Sequence, residues 1–223
     1  MIGGVPLGKG PRCGAFAGAG LFLKKLEGWS RRTVPLLALT LLVAGCSLFR
    51  GPPPETYDLA APRSISTTSG TAAQLLVPEP SALKTLDSER IVVASGPRLY
   101  YYPDAQWPDR MPRVFQARTI EAFENSRKVK AVGRPGEGLS IDYQIVTNIR
   151  SFEYREETKT SGYAHIEVFV KIMDDRNGSV VATRTITGNA PVQANSAAAV
   201  VAGLDAAMSE VLVELVRWTL KAV

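Results

Sequence analysis

The sequence predicts an α+β domain in which a mostly antiparallel sheet of about five to seven strands carries two main helices, the longer second one at the carboxyl end. Two observations predict this class. Short runs rich in β-branched and aromatic residues recur between residues 91 and 187, with glycine, proline or asparagine between them, which is typical of strands and turns. Residues 109–126 and 195–222 instead repeat apolar side chains every three or four positions, which is the helical period.

A leader precedes this domain. A basic stretch ending at Arg32 is followed by an apolar run over residues 34–43 and by small residues up to Gly45, the order typical of a secretory signal. Because Cys46 comes next, the segment resembles the lipobox of bacterial lipoproteins, in which the cysteine sulfur takes a diacylglycerol and the chain is cut before the cysteine. The resemblance implies that residues 1–45 are a lipoprotein signal peptide, with Gly45 the last residue removed and Cys46 the site of lipidation.

Two other interpretations of the leader stay open, a plain signal peptide cut elsewhere and a retained membrane anchor. An anchor needs about 20 apolar residues to cross the hydrocarbon core, whereas Arg32 and Arg50 close the run on its two sides. The lipid interpretation has a chemical reason, since a thiolate is nucleophilic enough near neutral pH to take a lipid as a thioether. We therefore expect the protein to be held on a membrane by the lipid on Cys46.

The charge balance bears on the partners that the domain can have. Residues 1–45 hold six of the 26 basic side chains and one of the 21 acidic ones, so residues 46–223 carry 20 of each and no net charge. Nucleic-acid binding depends on a basic surface, so the sequence argues against a nucleic-acid partner.

The supply of metal-binding and nucleophilic residues is equally limited. The chain has two cysteines: Cys13 leaves with the leader and Cys46 is taken by lipid, which excludes a disulfide and a cysteine metal site. The single histidine, His165, cannot alone build a catalytic triad or a histidine zinc site. We expect neither a metal nor a cofactor.

After the leader we expect a proline-rich tether over residues 46–54 and a single domain over residues 55–223. Three consecutive prolines end the tether and favour an extended polyproline form that holds the domain away from the membrane. The patterns that follow predict short strands, a helical turn, a loop and a first helix. These segments are residues 55–59 (strand), 74–77 (strand), 81–86 (helical turn), 91–93 and 98–102 (strands), 103–108 (loop) and 109–126 (helix).

Several details of the two helices and the later strands are also predicted. Asp109 is a candidate N-cap of the first helix and Pro112 suits its first turn, while Asn195 or Ser196 caps the final helix. The apolar alternation that begins at residue 139 changes phase after Ile149, which predicts a β-bulge near Arg150-Ser151. Apolar residues alternate from Ala164 to Ile172, and Asn177-Gly178 predicts a hairpin turn to a strand over residues 180–187.

Aromatic residues supply the candidate contact site. Tyr100, Tyr101 and Tyr102 follow one another on a strand, so Tyr101 points to the opposite face from its two neighbours. Tyrosine and tryptophan favour interfaces, so Tyr101 and Trp107 are the candidate partner contacts.

Two polar positions have a functional and a plain interpretation. His165 is either a proton shuttle or a solvent-facing strand residue, and its place between Tyr163 and Glu167 favours the strand residue. Asp174-Asp175 is either a cation site or a hairpin end, where aspartate is common.

Taken in order, the landmarks resemble the ABC-type transport auxiliary lipoproteins, a family related to paraquat-inducible protein C. After the lipobox these landmarks are Tyr57-Asp58-Leu59, the segment from Leu86 to Val93, Leu99 to Tyr102, Trp107, Glu121 to Ser126, and the long strand from Ile141 to Phe152. No single landmark is diagnostic, but the ordered set covers nearly the whole chain after Cys46.

The resemblance implies a lipoprotein of Gram-negative bacteria that faces the periplasm from the outer membrane. Such proteins work beside an ATPase, a permease and an MCE-domain protein that move lipids between the two membranes. The sequence therefore carries a non-catalytic, auxiliary role as its first hypothesis, with self-association of the domain left open. Two alternatives remain: a lipid-anchored periplasmic hydrolase, which needs a nucleophile with a base beside it, and a purely structural envelope protein.

Overall fold

The computed structural model describes residues 53–158 and 160–223, and residues 53–223 form one compact unit. The predicted signal peptide, Gly45, Cys46 and most of the tether lie outside the described residues. The elements in chain order are β1 (Glu55–Thr56), β2 (Gln74–Leu76), β3 (Ser81–Ala82), β4 (Arg90–Ser95), β5 (Arg98–Gln106), α1 (Met111–Ser126), β6 (Ala131–Gly133), β7 (Tyr143–Glu156), β8 (Gly162–Asp174), β9 (Val180–Val192) and α2 (Ala197–Ala222).

The nine strands form one sheet around β7. Along one edge β7 pairs with β8 in the antiparallel sense over its full length, and β8 pairs in the same sense with β9. Along its other edge β7 meets three short strands in turn, β2, β3 and β4, all parallel to it. Beyond β4 the sheet continues through β5 to β1, and beyond β2 it ends at β6.

The prediction of a mostly antiparallel sheet of five to seven strands is therefore wrong in two respects. The sheet has nine strands, and it is mixed, because five of its pairings are parallel, namely β1–β5, β2–β6, β2–β7, β3–β7 and β4–β7. Segments as short as Ser81–Ala82 carry no period of their own, so their pairing is decided by where the chain returns in three dimensions.

The long β7–β8–β9 meander follows the sequence pattern. The register of β7 against β8 shifts between Ile149 and Ser151, which confirms the predicted bulge. Gly178 has a φ of 70°, the left-handed conformation that the Asn177-Gly178 turn requires, and this turn is also confirmed. The last strand is longer than predicted, because its alternation continues to Val192.

Of the predicted helix caps, the one for α2 is confirmed and the one for α1 is wrong. Ser196 caps α2, since its side chain accepts a hydrogen bond from the Ala199 N–H. At α1 the N-cap is Arg110 without a side-chain cap, so the cap predicted for Asp109 is wrong; Asp109 instead accepts a hydrogen bond from the Arg110 N–H. Pro112 lies in the first turn of α1 as predicted.

One face of the sheet carries the hydrophobic core. The five predicted apolar residues of β8, from Ala164 to Ile172 at alternate positions, are all fully buried. Helix α2 packs there against β8 and β9 at very short range, because two glycines stand at the contact. A Cβ on Gly188 would meet the Ala207 carbonyl oxygen at 2.3 Å, and a Cβ on Gly203 would meet the Val192 Cγ2 at 2.4 Å.

The segment between β1 and β2 binds to the two helices. Arg118 of α1 forms an ion pair with Asp58 at 2.6 Å, and Asp205 of α2 accepts a hydrogen bond from the Ala60 N–H at 2.7 Å. Leu59 and Ile65 of this segment are buried in the core. We call this segment, residues 57–73, the strap. The helices are held between the sheet and the strap, so the opposite face of the sheet is the one that these elements leave uncovered.

Candidate functional site

The sheet face opposite the helices is the candidate site, and we call it the open face. Its central row runs across five strands, because Tyr101 is paired with Val92, Val92 with Glu153, Glu153 with His165 and His165 with Asn189. The next row is Leu99, Ala94, Arg155, Tyr163 and Pro191. A strand alternates its side chains between two faces, so these rows lie on the face away from α2. The middle of the rows is itself buried, since Val92 is 2% exposed, and the more exposed side chains stand towards the two sides.

Three arginines cover three aromatic rings on this face. The guanidinium carbon of Arg90 lies 4.5 Å from the centre of the Tyr101 ring, and that of Arg150 lies 4.7 Å from the Phe169 ring. Arg155 lies 6.0 Å from the Tyr163 ring. Stacking of this kind orders a flexible arginine and leaves the edge of its guanidinium free for hydrogen bonds.

Carboxylates and a histidine complete the polar network. Glu153, 8% exposed, accepts a hydrogen bond from Arg155 at 2.8 Å. Glu167 forms an ion pair with Arg150 at 3.2 Å. His165 is also 8% exposed, and its Nδ1 lies 2.8 Å from the Asn189 Oδ1. Although burial alone lowers it, the pKa of Arg155 is raised above its ordinary value by the hydrogen bonds to Glu153 and Tyr163.

A cleft of about 420 Å³ opens at the end of the open face where β7 turns into β8. Leu99, Glu153, Arg155 and Tyr163 line it together with the neighbouring turns. Its walls are therefore partly apolar and partly charged, and the side chains of Glu153 and Arg155 are already held by each other. Such a surface suits the binding of another molecule rather than proton transfer.

The two predicted contact residues separate in the structure. Tyr101 lies half-buried on the open face, so its contact with a partner stays a prediction. Trp107 is 1% exposed and packs edge-to-face on Phe152 with 6.0 Å between ring centres. A ring enclosed in the core cannot touch a partner, so the prediction for Trp107 is wrong. The reason is that β5 runs on to Gln106 and carries the chain over the sheet, where a loop was expected over residues 103–108.

The polar residues considered for chemistry find local partners. His165 is nearly buried against Asn189, so the expectation of a solvent-facing residue is wrong. Asp174 accepts hydrogen bonds from the side chain and the backbone N–H of Arg176, and these bonds hold its pKa below the ordinary range.

Within residues 53–158 and 160–223 no group of three or more histidine, cysteine, aspartate or glutamate side chains is placed to hold a metal ion. Neither α1 nor α2 combines the length and apolar content that a membrane-spanning helix needs.

Sequence reasoning missed the three stacked arginines. Arg150 stands at the predicted bulge, and Arg155 stands opposite Tyr163 once the β7–β8 register is known. The sequence therefore contains a sign of the arginine–aromatic pairs, namely an arginine at the bulge and another opposite a tyrosine. It can be recognised only after the turn between β7 and β8 fixes their register. Glu153 is 8% exposed within this network, although charged residues surround it in the sequence.

Comparison with known proteins identifies the family. The family model described as the ABC-type transport auxiliary lipoprotein component matches residues 57–216. The chain belongs to this family. The family predicted from the ordered landmarks is thereby confirmed, and its description is that of an auxiliary lipoprotein component of ABC-type transport.

Relatives of this auxiliary lipoprotein support the assignment. An uncharacterized protein of Bradyrhizobium diazoefficiens is 34% identical over 170 residues, which are 75% of this chain and 45% of the relative, so this chain spans less than half the length of that protein. The crystal structure of a protein from Xanthomonas campestris is 31% identical with a TM-score of 0.71, over 75% of this chain and 95% of that one. Another crystal structure, of an uncharacterized protein, shares the fold at 10% identity and a TM-score of 0.58, over 75% of this chain and 99% of that one.

Proposed function

We propose that this auxiliary lipoprotein is a docking component of an ABC-type lipid transport system that includes an MCE-domain periplasmic protein, a permease and an ATPase. The open face is the observation that carries the proposal. It presents three arginine–aromatic pairs, which lie on β4, β5, β7 and β8, and these residue types dominate the binding energy of protein interfaces. The family match supports the transport setting.

The proposal includes an anchor. A diacylated Cys46 after the removal of residues 1–45 would hold the domain on the periplasmic side of a membrane, the outer membrane in the arrangement proposed. The strap and helices cover one side of the domain. The open face lies on the other side, where a partner can reach it without displacing the core.

The polar network of the open face favours binding over hydrolysis. A nucleophilic mechanism needs a side chain activated by a free base. Here the His165 Nδ1 is engaged by Asn189, and Glu153 and Glu167 are each engaged by an arginine. These groups stabilise an ordered surface, which is what a docking component needs.

The test is capture of a periplasmic MCE-domain protein from the same organism by the purified lipid-free domain. We expect Tyr101→Ala to reduce capture at least about tenfold, because an interfacial aromatic residue contributes on the order of 2 kcal/mol. Tyr100→Ala is the matched control, since Tyr100 is 42% exposed on the same strand but points to the other face.

Equal capture by folded Tyr101→Ala and wild-type domains would remove the open face from the proposal. Lack of capture by the wild-type domain would contradict the MCE partnership itself. Turnover of a lipid or peptidoglycan ester, abolished by a single substitution, would replace the docking role by the hydrolase alternative. Circular dichroism of each variant checks that the fold is retained.

A further inference from the structure

The open face carries an excess of positive charge. Its strand residues include four cations, Arg90, Arg150, Arg155 and Lys171, against two carboxylates, Glu153 and Glu167. Each carboxylate is neutralised on the face itself, Glu153 by Arg155 and Glu167 by Arg150. No ion pair within the described residues includes Arg90 or Lys171, and both side chains are exposed.

We propose that the open face recognises an acidic protein surface, with aspartate or glutamate side chains of the partner bound by Arg90 and Lys171 and by the outer edges of the stacked arginines. This inference deepens the proposed function, on which it rests for the setting, by naming the chemistry of the partner. The residues are positioned for it because Arg90 lies over the Tyr101 ring at 4.5 Å and Arg150 lies over the Phe169 ring at 4.7 Å.

The stacked geometry favours carboxylates as the groups bound. A guanidinium offers its N–H donors in a planar fork that matches a carboxylate. A ring that already holds the arginine in place reduces the side-chain entropy lost when a partner binds. The hydroxyls of Thr185 and Thr187, exposed beside Phe169 and Glu167 in the register, add further donors for the same oxygens.

Two other occupants fit this surface less well. A second copy of the chain would place one net-positive face against another, and like charges across an interface are unfavourable. An anionic membrane would have to accept Glu153 and Glu167 at its surface, and binding to such a surface is typically carried by lysine-rich segments. The open face carries three arginines and one lysine among its cations, which favours a protein.

Zero-length cross-linking tests the proposal on the full-length protein in its membrane. A carbodiimide joins a lysine amine to a carboxylate only where the two are in contact, and the amide is found by peptide mass spectrometry. Lys171 supplies one amine on the open face, and the variant Arg90→Lys supplies a second. Lys221, exposed at the end of α2, is the matched control on the opposite side.

We expect amides from position 171, and from position 90 in the variant, to aspartate or glutamate of a different protein, at several times the yield from Lys221. We also expect that Arg90→Gln combined with Lys171→Gln reduces capture of that identified protein about tenfold and flattens its salt dependence. Lys221→Gln should leave both unchanged. Linkage to the MCE protein supports this inference and the proposed function together, whereas linkage to another protein supports this inference and contradicts the MCE partnership.

Three results would overturn the inference. Amides formed with a second copy of this chain would make the open face a self-association surface. Binding of the lipid-free domain to phosphatidylglycerol vesicles, lost in the Arg90→Gln and Lys171→Gln variant, would make it a membrane surface. Yields from positions 171 and 90 no higher than from Lys221 would show that no carboxylate partner meets this face.

Discussion

Replacing Gly188 by alanine tests how closely α2 is packed against the sheet. Gly188 lies on β9 directly beneath the helix, and an added Cβ would stand 2.3 Å from the Ala207 carbonyl oxygen and 2.8 Å from the Val211 Cγ2. Uncharged atoms in contact sit about 3.5 Å apart or more. The helix would therefore have to rise by about 1 Å, because the atom that is hit first belongs to its backbone and cannot turn away.

The size of the effect follows from what this rise disturbs. Twelve residues of α2 are buried, and the interface of α2 with β8 and β9 supplies a large part of the core. A gap of 0.5–1 Å forfeits roughly a quarter to a half of the dispersion attraction across it. Overpacking of a well-filled core typically costs about 1–3 kcal/mol. We expect Gly188→Ala to lower the free energy of unfolding by about 3 kcal/mol, at the upper end of that range.

The assay is urea unfolding of the lipid-free domain followed by circular dichroism. Gly178→Ala is the matched control, because Gly178 has a φ of 70° with no atom within 4 Å of an added Cβ. Its cost should therefore be limited to about 1–2 kcal/mol of backbone strain. If Gly188→Ala is no more destabilising than Gly178→Ala, α2 does not approach β9 as closely as described.

Three further predictions concern single residues. Cys46→Ser should leave the protein unlipidated and free of membranes; mass spectrometry of the mature amino terminus checks it, and an unmodified Cys46 in the wild type would contradict it. Leu204→Asp should unfold the domain, because Leu204 is fully buried and an unpaired charge there is costly; an unchanged thermal melt would count against it. Tyr154→Phe should raise the free energy of unfolding by about 1 kcal/mol, since the buried Tyr154 hydroxyl has no hydrogen-bond partner in the described residues. Burial raises the pKa of Tyr154, so the wild type should lose stability as the pH rises above about 10 and the variant should lose less, as urea titrations at several pH values would reveal.

Where a single segment has a strong period, its structure could be predicted from the sequence. The alternation from Ala164 to Ile172, the phase change at Ile149 and the apolar stripe around Leu204 all correspond to elements found in the structure. Each depends on contacts within one strand or helix, or across one tight turn. For the same reason the sequence could place Tyr101 on the opposite face from Tyr100 and Tyr102, while the register decided which of these faces is the open one.

The sequence by itself determined the family, the two helices, the bulged meander and the alternation that separates a buried sheet face from an open one. Only the tertiary structure decided the parallel pairing of the short strands along β7, the burial of Trp107 against Phe152 and the stacking of Arg90, Arg150 and Arg155 on rings of neighbouring strands. The physical reason is the range of the contacts. A local period is set by backbone geometry within a few residues. The partners of Trp107 and of the arginines come from other strands, and which side chains meet there depends on register across the whole sheet.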